Sequence, residues 1–173
     1  LPVLVIVLLV MAGTLFPTSA GNHAPSVRLA ADTNALSLSG QMTWRDDPEG
    51  QLTLAAILAA PDPGFEPLPG FLNRGYTQAT SWLQVRIERP PGAPADWYLW
   101  LAPPILDRLD VYVQTGPDAS NPQDYRRWSL GDHAKATDQP FAHPHPVVPL
   151  NLPQTGVTRI YIAFSGTSTQ SLT

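Results

Sequence analysis

The feature that most constrains this chain is proline: 20 prolines in 173 residues, more than twice the ordinary share of about 5%. Each one removes an amide donor and pushes the residue before it out of helical geometry. Spread along the chain, they leave little room for long helices, so an all-helical bundle and a coiled coil are excluded. Apolar residues still make up 43%, close to the globular norm, so the chain is not a disordered Pro/Gly-rich polymer. The length suits one domain of ordinary size with a real core.

Charge narrows the function. Ten basic and 14 acidic residues give a formal −4 with no basic run, and nucleic-acid binding needs clustered cations to neutralise phosphates. There are no cysteines, hence no disulfide framework and no Cys-based zinc site. Residues 1–12, LPVLVIVLLVMA, are continuously apolar, and the segment loosens through Gly13 and Thr14 to the small residues Thr18-Ser19-Ala20. Residues 1–20 therefore read as a secretory signal peptide, shorter in its apolar run than the roughly 20 residues a spanning helix wants. A buried core element and an uncleaved anchor remain open alternatives. The segment lacks an initiator Met and a basic n-region, which reads as a start inside the signal sequence itself, and the chain as a fragment.

Residues 21–35 are small and polar and read as a linker, with the domain proper expected over 36–173. Leu36, Leu38, Met42 and Trp44 alternate around Gly40, a first strand with a bulge. Asp46-Asp47-Pro48-Glu49-Gly50 is a turn. Thr53 to Ala60 is the one helix-like stretch, with Thr53 as N-cap and Pro61 as stop. Residues 61–75, rich in Pro and Gly, are expected to be loop. Strands then follow one another: Trp82 to Ile87, Trp97 to Leu101, Leu109 to Gln114, Tyr125 to Leu130, Pro146 to Leu152 and Thr158 to Phe164. Short strands with Pro/Gly/Asp turns and no crossover helices make an all-β fold, a jelly-roll β-sandwich with one short helix near the N-terminus of the domain. The chain stops at Thr173 without a closing turn, so a last strand is expected beyond it.

Catalysis has little support. Phe164-Ser165-Gly166-Thr167-Ser168 lacks the first glycine and the following helix of a nucleophile elbow. Asp107 and Asp110 have the look of a turn and a strand edge rather than of a glycosidase pair. His143-Pro144-His145 puts two imidazoles on one extended face, but with His133 alone nearby this reads as surface histidine rather than metal ligation. Asp46, Asp47 and Glu49 read as a turn, not a Ca²⁺ loop. No cofactor and no metal are expected. Of the five tryptophans, Trp82 and Trp97 read as core by alternation. Tyr98 and Trp100 share the opposite face of their strand about 7 Å apart, the footprint of one sugar ring, and are the best candidates for a ligand platform.

The series Phe65-Glu66-Pro67-Leu68, Gly75-Tyr76-Thr77, Trp82-Leu83, Ile105 to Tyr112, Gly131-Asp132 and His143 to Leu150 resembles the type 2 extracellular domain of the 7TMR-DISM proteins. These are bacterial seven-transmembrane receptors with diverse intracellular signalling modules. The resemblance covers about residues 36–173. It implies a non-catalytic, carbohydrate-binding-module-like sensory domain outside the inner membrane, in the periplasm. Seven transmembrane helices, a histidine kinase or diguanylate cyclase output and a receptor dimer would complete it. It adds Asp132 to Tyr98 and Trp100 as candidate ligand-binding residues. The family commonly has arginines where this chain has Gln84 and Gln139; if those arginines bind an anionic ligand group or pair with Asp132, this chain has lost the charge-assisted contacts. The expected partner is a small ligand, carbohydrate-like or other. The competing reading is a free secreted carbohydrate-binding or adhesion module.

Overall fold

The computed structural model describes residues 25–102, 107–131, 141, 143 and 145–166, and the backbone of 169–172. The strands are β1 (Ser26–Arg28), β2 (Met42–Asp47), β3 (Glu66–Leu68), β4 (Leu72–Tyr76), β5 (Thr80–Glu88), β6 (Asp96–Trp100), β7 (Arg108–Gln114), β8 (Tyr125–Leu130), β9 (Val147–Asn151), β10 (Val157–Ser165) and β11 (Thr169–Leu172). The single α-helix among the described residues, α1, spans Leu54–Ala59, and a 3-10 turn covers Pro122–Asp124. The result is an all-β sandwich of jelly-roll type, as its strand-and-turn pattern implies.

One sheet dominates, in the order β3-β2-β5-β10-β7-β8. Strand β1 pairs parallel with the far end of β5, Val27 opposite Ile87, beyond the stretch of β5 that β2 occupies. Two short pairs, β6-β9 and β4-β11, complete the strands. Alternation explains the layers. On β5, β7 and β10 one parity supplies Leu83, Val85, Ile87, Leu109, Val111, Val113, Ile160, Ile162 and Phe164 to a single apolar cluster. Trp97 and Leu99 of β6, Val148 and Leu150 of β9 and Leu72 of β4 meet them in that cluster. Burial on this scale drives the fold, at about 25 cal/mol for each Å² of apolar surface removed from water.

The outer face of the large sheet is also covered. Trp82, Tyr125, Tyr161 and Ala163 point away from the main cluster and pack with Leu54 and Ile57 of α1 in a second one. The Thr53 side chain caps α1 by accepting the Ala56 amide at 3.2 Å. Thr53→Ala is therefore expected to cost about 1 kcal/mol, seen as a melting temperature lower by about 2–4 °C.

Three expectations change. The stretch 21–35, expected as a linker, contains β1, because Val27 and Leu29 alternate among polar residues and are 6% and 2% exposed. The loop expected over 61–75 holds β3 and β4. Pro67 is tolerated there because β3 is the outermost strand of its sheet, where a missing amide breaks no ladder. Within β4, Gly75 adopts φ 62°, a left-handed value that glycine accepts without a Cβ penalty. The strand expected from Leu36 begins only at Met42, because Gly40 at φ 71° turns the backbone. Leu38 is nevertheless fully buried.

Candidate ligand-binding site

Strand β6 presents its two parities to different worlds. Trp97, Leu99 and the adjoining Leu101 are buried at 1% exposure or less. Tyr98 and Trp100 lie on the outer face, both half-buried, opposite Pro149 and Val147 of β9. The face is not bare. Phe141 meets the Tyr98 ring edge-on at 5.4 Å. His145 and His143 meet Trp100 edge-on at 5.1 and 6.5 Å, and the two imidazoles lie 5.9 Å apart. His143 Nδ1 lies 3.1 Å from the His145 amide and 3.2 Å from the His145 carbonyl oxygen, which ties the two imidazoles into one turn.

Two polar atoms in this aromatic cluster, Trp100 Nε1 and His145 Nδ1, are buried and have no hydrogen-bond partner among the described residues. An unpaired buried donor or acceptor is costly enough that native structures rarely leave one without a reason. Asp132, the third candidate, lies outside the described residues, as do Gln139, His133 and residues 1–20. The expected turn is present but shorter: Asp46 and Asp47 end β2, and the Gly50 amide closes the turn on the Asp47 carbonyl. Asp47 accepts the Gln51 and Leu52 amides, and Asp46 pairs with Arg74, so these carboxylates stabilise the turn. No group of three or more metal-ligating side chains occurs among the described residues.

Sequence reasoning missed the most polar feature of the large sheet. Asp110, read as a strand-edge residue, lies mid-strand on β7 and is 3% exposed. Its Oδ1 accepts from Arg127 Nε and Nη2 and from Ser129 Oγ, and its Oδ2 accepts from Arg108 Nε. Desolvation disfavours the Arg127 cation, but the Asp110 bond and charge outweigh it and raise its pKa. Burial raises the Tyr112 phenol, against the pull of Arg127. The signal was in the strand parities, since Arg108, Asp110 and Tyr112 share a face and Ser129 and Arg127 sit opposite Asp110 and Tyr112. Gln84 lies in the same cross-strand row as Tyr112. It donates to Tyr161 Oη at 2.9 Å and accepts from Thr43 at 3.3 Å.

A sandwich with ring-lined outer faces and a sealed apolar interior has the build of a β-sandwich recognition domain. The family model for 7TMR-DISM extracellular 2 matches residues 39–173, and the chain belongs to that family. It is thus a sensory input domain of a bacterial receptor, non-catalytic and placed outside the cytoplasm. Membership implies transmembrane helices downstream in the receptor; none of the described helices is long and apolar enough to cross a membrane. A search of curated proteins finds no match.

Proposed function

We propose that this periplasmic domain senses a carbohydrate-like or other small ligand on the outer face of β6 and β9, with Tyr98 and Trp100 as the platform. The supporting observation is the pair of unpaired polar atoms, Trp100 Nε1 and His145 Nδ1, set within a cluster of rings. Sugar rings offer apolar C–H faces for stacking and hydroxyls that both donate and accept. Asp132 belongs to the same proposal through the family resemblance. Residues 1–20 would act as the export signal, and a histidine kinase or diguanylate cyclase would be the cytoplasmic output. Ligand binding signals by favouring one of two arrangements of the domain relative to the membrane helices, which requires different affinity for the two.

Trp100→Ala tests this reading. Because Trp100 is only half-buried, the variant is expected to melt no more than about 4 °C below the parent. It should lose binding to a glycan panel that the parent retains. A fall as large as that of a core tryptophan variant, or unchanged glycan binding, would assign Trp100 to packing.

A further inference from the structure

We propose that the outer face of the large sheet carries a second site, which takes the carboxylate group of a small organic acid. A cavity of ≈ 60 Å³ opens between β5, β7 and β10, lined by Trp82, Arg108, Asp110, Tyr112, Thr80 and Ser165 among others. A single water needs about 10–15 Å³ on this measure, so the cavity admits a group of a few heavy atoms. It lies on the opposite side of the sandwich from Tyr98 and Trp100 and owes nothing to them.

Three observations set the chemistry. First, Asp110 is saturated as an acceptor by Arg108, Arg127 and Ser129. Arg108 and Asp110 line the cavity, and Arg127, which does not, also pairs with Asp110, so the Asp110 charge is already offset and the three-residue cluster is net positive. Second, Arg108 is pinned through Nε while its side chain is 65% exposed. A guanidinium held by one edge is an oriented fork for a second carboxylate. Third, stacked aromatic rings form the wall. Trp82 and Tyr112 stack at 5.8 Å with 15° between planes, Arg127 lies over the Tyr112 ring, and the Trp82 indole N–H is buried and unpaired. An ionised carboxylate is acceptor-only and matches the free edge of the Arg108 guanidinium, with the Trp82 ring beside it as reporter. A sugar hydroxyl can also accept a hydrogen bond here, but without the charge that makes a carboxylate the stronger partner of a guanidinium.

The probe is sodium acetate, titrated into the full chain and followed through the indole N–H resonances by NMR, with the Trp82 signal identified from Trp82→Phe. Acetamide supplies a neutral molecule of the same shape, and sodium chloride matches the ionic strength. The Trp82 resonance is expected to shift saturably with acetate, with Kd of about 1 mM or tighter, and to ignore acetamide and chloride. Arg108→Gln should weaken acetate by about tenfold to a hundredfold, with a melting temperature lower by about 2–8 °C for the lost bond to Asp110. Arg108→Lys, which keeps the charge and loses the fork, should weaken it less; it decides the matter if the Gln variant fails to fold. Trp100→Ala should titrate as the parent does, which separates this site from the platform on β6. No saturable shift, an equal response to acetamide, or parent-like titration of the Arg108 variants would overturn the proposal.

Discussion

Trp82→Ala is expected to lower the melting temperature by about 6–20 °C, from an aromatic-to-alanine cost of about 3–5 kcal/mol and about 2–4 °C per kcal/mol for a domain of this size. The residue is 2% exposed, yet it does not belong to the main core. It packs in the second cluster with Leu54 and Ile57 of α1 and with Tyr125 and Tyr161, and its ring stacks on Tyr112. Truncation therefore leaves a void beneath a helix only six residues long, which is too short to hold itself together without tertiary packing. The loss of α1 would add to the cost. Trp82→Phe retains a ring on Tyr112 and should fall by much less. Thermal melts of both variants by circular dichroism check this. An alanine variant melting within a degree of the parent would mean that α1 is not anchored by Trp82.

The main layers were legible because period-two alternation is strong where one face is sealed. Leu109, Val111 and Val113 against Tyr112, and Trp97, Leu99 and Leu101 against Tyr98 and Trp100, fall on the faces that parity assigns. The helix was legible from Thr53 and Pro61. What escaped were elements whose evidence lies in pairing rather than in their own residues. Strand β1 carries a single buried residue, Val27, between two exposed ones, and becomes a strand through β5. Strand β3 reads Glu-Pro-Leu and exists because β2 offers it an edge. Tyr98 and Trp100 were correctly set on an outer face, but the rings of Phe141, His143 and His145 that meet them come from a distant segment. No local pattern brings those together. Trp82 shows the same limit: alternation predicts that it is buried, but only the position of α1 shows in which cluster.

Asp110→Ala is expected to cost about 3 kcal/mol, or roughly 6–12 °C in melting temperature. Asp110 is a charge in the middle of a sheet, 3% exposed, and its position is tenable because four donor groups surround it. Breaking a fully buried pair by deleting one partner costs about 3–5 kcal/mol. The lower end applies because the side chains of Arg108 and Arg127 are 65% and 49% exposed and regain water when the carboxylate is removed. Ser129 Oγ, which donates to Asp110 at 2.7 Å, has less room to do so. Asp110→Asn separates charge from shape. Its remaining carbonyl can keep the three donors on the Oδ1 side, while its amide faces Arg108 as a donor against a donor. A cost of about 1–2 kcal/mol, between parent and alanine, follows from losing that charge-assisted bond. Added salt should narrow the gap between parent and Asn variant only modestly, because screening reaches exposed pairs far more than a buried carboxylate. Urea melts of the three proteins at low and high salt measure all of this. Equal stability of parent and alanine variant would show that the arginines gain nothing from Asp110, and that the buried carboxylate does not hold this face of the sheet in order.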